Sequence, residues 1–275
     1  MMEHDEPAAA GVPRASVARG NPAGMSDGHG SSADGAPGPV QSSACGSPPG
    51  TLSTLRTLAG VTLLRLVRGK ALWIGAAIAA LPAIYGIAMK ARRTGAPAND
   101  VMYFALLLLV LLPAMFVGAS IGEEIEDRTS TYLWSRPIAR WAVLAGKLCA
   151  LTPIVIALVV TSWSVAIALA SGHPPSLASC AALALGTTAA SLVTAAIATL
   201  VPKHGMALTI GYMLVDSFLG ALPFSLREIS VTHQTLVLSG VERAAPTIAT
   251  PLIALIVVAG LWSALALRRI RRLEV

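Results

Sequence analysis

The chain has 275 residues, of which 55% are hydrophobic and only 12% are charged, and its formal net charge is +6. Soluble domains carry about 25% charged residues, so this composition excludes a water-soluble globular protein and indicates an integral membrane protein. Most Lys and Arg residues lie beside apolar stretches, where they meet anionic lipid, and we therefore do not assign the positive charge to nucleic-acid binding.

The N-terminal part of the chain divides into two segments of different composition. Residues 1–50 are rich in Gly, Ala, Pro and Ser and show no hydrophobic periodicity, which predicts a disordered tail. Residues 51–70 repeat Leu and Val at roughly helical spacing, interrupted by Arg56, Arg65 and Arg68. This pattern predicts an amphipathic helix lying in the membrane interface. The alternative is a basic flank that precedes the first membrane span.

Six apolar stretches follow, and each is long enough to cross about 30 Å of hydrocarbon as a helix. They cover about 71–89, 101–122, 147–171, 176–201, 205–223 and 246–267. Prolines inside them are compatible with membrane helices, because neighbouring helices can satisfy the freed carbonyls. The sequence therefore predicts an all-α integral membrane domain over residues 51–275 with six transmembrane helices. The external segment 224–245 contains LREISVTHQTLVL, which could form a short helix.

The distribution of Lys and Arg predicts the orientation of these spans. If the N-terminus is cytoplasmic, the segments on the cytoplasmic side carry most of the positive residues outside the tail. Both termini are then cytoplasmic, as six spans require. Lys90, Arg92 and Arg93 oppose this arrangement, but they do not reverse the balance.

Motifs for catalysis, metal binding or nucleotide binding are missing from the sequence. It contains no HExxH, GxSxG or GxxxxGK[ST] motif, and its three cysteines are isolated. We therefore predict no catalytic residues, no metal and no cofactor in this chain. Asp216 is the only acidic residue within a predicted span, and such a residue is by default a functional candidate. Alternatively, it lies near the external interface or forms hydrogen bonds with Ser, Thr or Tyr neighbours inside the bundle.

An acidic segment follows the second predicted span. Four carboxylates occupy five consecutive positions: Glu123, Glu124, Glu126 and Asp127. Ser120 and Glu123 have the spacing of a capping box, which predicts a new short helix. The carboxylates would cover a broad face of that helix, so they do not resemble a metal-ligand pair. Ser135 can cap the next helix with Pro137 in its first turn, and the apolar residues of the intervening segment favour contact with another protein.

Two glycines, Gly118 and Gly122, form a GxxxG pair at the end of the second span. Such pairs allow close approach of helices, either within one chain or between two copies.

The segment from 124 to 147 resembles the cytoplasmic signature of type-2 ABC-transporter permeases. It reads Glu124-x-Glu126-x-x-Thr129, then Leu133-x-Ser135-Arg136-Pro137-x-x-Arg140, then Gly146-Lys147. In that family an acidic E-x-E-x-G-T run leads to S-R-P-x-x-R and to a G-K pair that enters the third span. Arg128 stands where the family usually has Gly, which affects the turn at that point because Arg resists positive φ.

The resemblance implies a permease subunit of an ABC exporter in the cytoplasmic (inner) membrane. It also implies a separate ATPase subunit that binds ATP, a second permease subunit, and a coupling helix between spans two and three that docks on the ATPase. The implied docking and coupling residues are Glu123, Glu124, Glu126, Asp127, Arg128, Thr129, Ser135, Arg136, Pro137, Arg140 and Lys147. Two other functions stay open: an ion- or proton-coupled secondary carrier that uses Asp216, and a structural membrane protein without transport.

Overall fold

The computed structural model describes residues 51–91, 98–126, 140–222, 225–242 and 248–272, and all regular structure in these ranges is helical. The α-helices are α1 (Thr51–Arg68), α2 (Lys70–Ala79), α3 (Leu81–Ala91), α4 (Ala98–Pro113), α5 (Ala119–Glu126), α6 (Arg140–Ser171), α7 (Leu177–Leu200), α8 (Gly205–Ala221), α9 (Val231–Leu238) and α10 (Ala249–Arg272). A π-helical turn, Ala114–Gly118, joins α4 to α5, and 3-10 turns cover Pro202–His204 and Ser225–Ile229. The predicted tail, residues 1–50, lies outside the described residues.

Five helical segments in the described part of the chain are long and apolar enough to cross a membrane. They are Lys70–Ala91, Asp100–Gly122, Trp141–Ser171, Leu177–Leu200 and Ala249–Arg272. These segments coincide with the predicted spans one, two, three, four and six. The predicted fifth span forms α8, which has 17 residues and is shorter than the other five segments. The all-helical, multi-pass membrane architecture is thus confirmed, with five spans assigned by length and composition.

The first span consists of two helices, because the chain breaks between α2 and α3 near Pro82. Proline has no backbone N–H and therefore interrupts the helical hydrogen bonds. Ser162 on α6 donates a hydrogen bond to the carbonyl of Ala79 at this break. Farther along α3, Gly86 lies against α6 so closely that an added Cβ would stand 2.6 Å from the carbonyl oxygen of Ala166. The break and the close approach dock the first span on α6.

Helix α7 lies at the centre of the bundle and packs against α4, α6, α8, α9 and α10. Its buried residues are mostly Ala, Gly, Ser and Thr, whose small size lets neighbouring helices approach closely. Its hydroxyls bond to carbonyls of the same helix, as Ser191 Oγ does to the Thr187 oxygen at 2.8 Å and Thr194 Oγ1 to the Ala190 oxygen at 2.8 Å. Most hydroxyls of α7 are therefore satisfied within the helix itself, whereas Ser179 Oγ donates to the carbonyl of Ser239 after α9 at 3.1 Å.

The short helix α9 lies within the segment where a short helix was predicted, and residues 231–236 are buried. It packs against α7, α8 and α10. Gly186 on α7 faces Thr235 on α9, and the side chain of Thr235 occupies the space that a Cβ at position 186 would need. A glycine thus permits a polar, buried helix to pack against the central span.

Candidate coupling site

The acidic segment begins on a helix that continues the second span. After Pro113 the backbone forms the π-helical turn, and Ala119 keeps right-handed helical angles (φ −63°, ψ −47°), so α5 follows without a break. The predicted helix start at Ser120 is therefore wrong, because the chain is already helical there and leaves no free N-terminus to cap. Glu123, Glu124 and Glu126 occupy the second half of α5.

Lys147 is a buried residue of α6 that forms a hydrogen bond with α5. Its side chain is only 5% exposed, and Nζ donates a hydrogen bond of 2.6 Å to the carbonyl oxygen of Ser120. Burying an ammonium group is unfavourable unless it is hydrogen-bonded, so this contact fixes the position of α5 relative to α6. The sequence singled out Lys147, but not the carbonyl that it binds, because that contact depends on the tertiary structure.

A small apolar cluster lies beside this contact. Val117 and Ile121 pack with Leu151 of α6 and with Ala195 and Ala198 of α7. Partly buried leucines from α1 and α6 extend the cluster: Leu66, Leu144 and Leu148. The start of α5 is therefore held by three other helices, and a displacement of α5 would disturb all of them.

Of the two glycines in the GxxxG pair, Gly122 faces the turn between α7 and α8, and Gly118 faces α7 and the start of α8. A Cβ added to Gly122 would stand 3.0 Å from the carbonyl oxygen of Pro202, and one added to Gly118 would stand 3.2 Å from Cγ2 of Thr194. The structure thus uses this pair for packing within one chain. A groove of about 410 Å³ runs along the contact, with exposed Lys203 and His204 at its side.

The remaining predicted coupling residues are distributed as follows. Arg140 is the first residue of α6. Six others lie outside the described residues: Asp127, Arg128, Thr129, Ser135, Arg136 and Pro137. Among the predicted residues that are described, the structure brings Lys147 and the acidic helix α5 together.

Asp216 on α8 is buried and acts as a cap for α9. Oδ1 accepts a hydrogen bond from the backbone N–H of Val231 at 3.0 Å. Oδ2 accepts from the N–H of Thr232 at 2.9 Å, from its hydroxyl at 2.9 Å and from the hydroxyl of Ser230 at 3.1 Å. A carboxylate at a helix N-terminus satisfies free N–H groups and interacts favourably with the helix dipole. This geometry agrees with the hydrogen-bonded alternative for Asp216 and does not favour a carrier function.

In the described part of the chain, no three His, Cys, Asp or Glu side chains converge in a way that would hold a metal ion.

The chain matches one protein family over most of its helical domain. No curated protein sequence matches the chain. The family model described as ABC-2 family transporter protein matches residues 63–220, which is more than half of the chain. With its apolar spanning helices, the chain therefore belongs to the ABC-2 family of transporter membrane proteins.

Proposed function

We propose that this protein is the permease subunit of an ABC exporter and that residues 123–140 dock a separate ATPase subunit. Proteins of the ABC-2 family generally work with an ABC ATPase and often form dimers. In this proposal the ATPase binds and hydrolyses ATP, and a second permease subunit, identical or different, completes the pathway. The protein lies in the cytoplasmic (inner) membrane with both termini cytoplasmic.

The proposed topology has six spans, with α8 as the fifth. Seventeen residues rise about 25 Å, a few ångströms short of a typical hydrocarbon core. A membrane accommodates such a mismatch by local thinning or by reorientation of flanking side chains. Helix α1, with Arg65 and Arg68 in its last turn, lies in the cytoplasmic interface, where arginines contact lipid headgroups.

The observation that carries the proposal is the placement of the acidic residues on α5. Their helix continues the second span, is bound to α6 through Lys147, and rests on the Pro202–His204 turn through Gly122. A displacement of the acidic end of α5 would therefore also displace α4, α6 and the start of α8. The carboxylates would meet basic groups of the ATPase, and such contacts mainly determine partner choice and association rate.

The residues between α5 and α6 complete the proposed site. By the resemblance, Asp127 extends the acidic surface, and Arg128 and Thr129 follow it. Ser135, Arg136, Pro137 and Arg140 form the turn that returns the chain to the third span. Their role is to pass the movement of the docked segment into α6.

The test is coexpression of the membrane protein with a candidate ABC ATPase subunit, followed by copurification. We expect Glu124→Lys combined with Glu126→Lys to weaken ATPase association, because it replaces two acidic contacts by repulsive ones. A matched control reverses the charge of Glu228, which lies in the 3-10 turn after α8, far along the chain from α5. The control should insert into the membrane and bind the ATPase as the unmodified chain does.

Two results would contradict the proposal. One is copurification of the double variant at the level of the Glu228→Lys control. The other is that the unmodified chain neither binds the ATPase nor changes its rate of ATP hydrolysis. Transport in vesicles that depends on an ion gradient and not on ATP would instead favour a secondary carrier.

A further inference from the structure

The C-terminal end of α10 carries a groove that is lined mainly by arginines. The groove has a volume of about 410 Å³, and its lining residues share one face of the helix: Ala264, Leu267, Arg268, Arg271 and Arg272. The three arginines are exposed. Ala266 and Ile270, which are 3% and 9% exposed, lie on the opposite face, since each residue turns the helix by about 100°. The groove therefore opens away from the helical bundle.

The groove has a positive charge that the described residues do not neutralise. Arg268 is three positions from Arg271 and four from Arg272, and like charges at these spacings repel each other on a helix. In the described ranges no Asp or Glu forms an ion pair with these arginines. The terminal sequence RRIRRLEV contains four Arg and one Glu, and this Glu274 lies outside the described residues. A guanidinium group fits phosphate with two parallel N–H donors, so the groove has the charge and the donors of a phosphate site.

The arginines lie where the last span reaches the lipid headgroups. From Ala249 to Leu267, α10 rises about 28 Å, close to the thickness of about 30 Å of a hydrocarbon core. With this part of the helix in the hydrocarbon, Arg268 stands at its edge and the last turn of α10 lies among the headgroups. The phosphates of membrane lipids are therefore the anions nearest to the groove.

An exposed apolar face leads from the span into the groove. Val257 and Leu261 are 61% and 60% exposed. They lie in line with Ala264 and Arg268, because these positions follow one another at intervals of three or four residues. An apolar face that ends in guanidinium groups matches the two parts of a phospholipid, its acyl chain and its phosphate.

We propose that this groove of α10 binds an anionic phospholipid. The phosphate accepts hydrogen bonds from the guanidinium groups of Arg268, Arg271 and Arg272, and an acyl chain lies along Val257 and Leu261. A zwitterionic headgroup binds more weakly, because its ammonium group is repelled by the arginines. A lipid fits better than an acidic protein surface, because the apolar face continues from the groove into the span. The inference does not depend on the proposed transport function, since lipid binding is measured on the chain alone.

The test is native mass spectrometry of the purified full-length protein in detergent. The protein is titrated with phosphatidylglycerol or with phosphatidylcholine of the same acyl chains. We expect the dissociation constant of the first bound phosphatidylglycerol to be at least about tenfold lower than that of phosphatidylcholine. Inorganic phosphate should not displace the bound lipid, because it has no acyl chain to contact the apolar face.

Neighbouring arginines of α10 provide a matched pair of variants. Arg268→Gln removes one charge from the groove and should raise the dissociation constant of phosphatidylglycerol about fivefold. Arg269→Gln removes the same charge from the next position, which does not line the groove, and should leave the constant unchanged. Both side chains are exposed, so both variants should keep the unfolding midpoint of the unmodified chain.

A triple variant completes the test. Arg268→Gln, Arg271→Gln and Arg272→Gln together should bind phosphatidylglycerol no more tightly than phosphatidylcholine. Equal affinity of the unmodified chain for the two lipids, displacement by inorganic phosphate, or the same loss in Arg269→Gln as in Arg268→Gln would overturn the proposal. Equal lipid affinities together with loss of ATPase copurification in the triple variant would overturn it too, and would assign the arginines to a protein contact.

Discussion

Replacement of Asp216 tests whether its carboxylate is a structural cap or a transport group. In Asp216→Ala the backbone N–H groups of Val231 and Thr232 lose their acceptor inside the protein. A buried donor left unsatisfied costs about 1–3 kcal/mol, so the variant should lose about 2–6 kcal/mol of unfolding free energy. In Asp216→Asn the amide oxygen can keep the three donors at Oδ2, and only Val231 loses its acceptor. We expect a loss of about 1–3 kcal/mol there.

The measurement is the free energy of unfolding in mixed detergent micelles, read from the denaturation midpoint. Ser217→Ala is the matched control, because among the described residues its hydroxyl bonds to the Met213 carbonyl of the same helix. The control should change stability by less than about 1 kcal/mol. The interpretation of Asp216 as a structural cap is refuted if Asp216→Ala has the same denaturation midpoint as Ser217→Ala. Normal stability in Asp216→Asn with loss of gradient-driven transport would assign Asp216 to ion coupling instead.

Three further predictions concern contacts of buried residues. Gly186→Ala places a methyl group against Thr235 and should cost about 1–3 kcal/mol, and adding Thr235→Ala should restore most of that stability in the same unfolding assay. Lys147→Met removes the donor to the Ser120 carbonyl and should cost about 1–3 kcal/mol; an unchanged unfolding midpoint would contradict the buried contact. Gly122→Leu should force α5 from the Pro202–His204 turn while the acidic residues stay intact. The ATPase should then still copurify but lose stimulation by the permease, whereas Gly260→Leu, which meets open space, should behave as the unmodified chain does.

The sequence predicted the long helices well because each apolar run encodes its own secondary structure. The predicted span 176–201 agrees with α7 (Leu177–Leu200) within one residue at each end. The third span was predicted from 147, with a helix that begins near Ser135 and leads into it; α6 is helical from Arg140 onward, and the predicted cap at Ser135 lies outside the described residues. The first span is divided near Pro82, which a hydropathy pattern does not resolve.

The contacts of the candidate site were harder to predict because they join residues distant in sequence. Gly122 was recognised as a close-packing residue, but its contact with the Pro202 carbonyl depends on how the α7–α8 turn folds back. Asp216 was recognised as unusual, and the hydrogen-bonded alternative is the one that the geometry favours. Burial of His233 was not predicted, because a polar segment between two spans has the composition of an exposed loop.

The internal hydrogen bonds of α7 have a consequence for motion. Five hydroxyls between positions 187 and 199 bond to carbonyls of their own helix: Thr187, Thr188, Ser191, Thr194 and Thr199. A small rotation or sliding of α7 against its neighbours therefore leaves these five bonds intact, whereas it would break the hydrogen bond from Ser179 Oγ to the Ser239 carbonyl and shift Gly186 against Thr235. Small sliding of packed helices is one of the movements by which proteins change conformation, and the hydroxyls of this part of α7 would not oppose it.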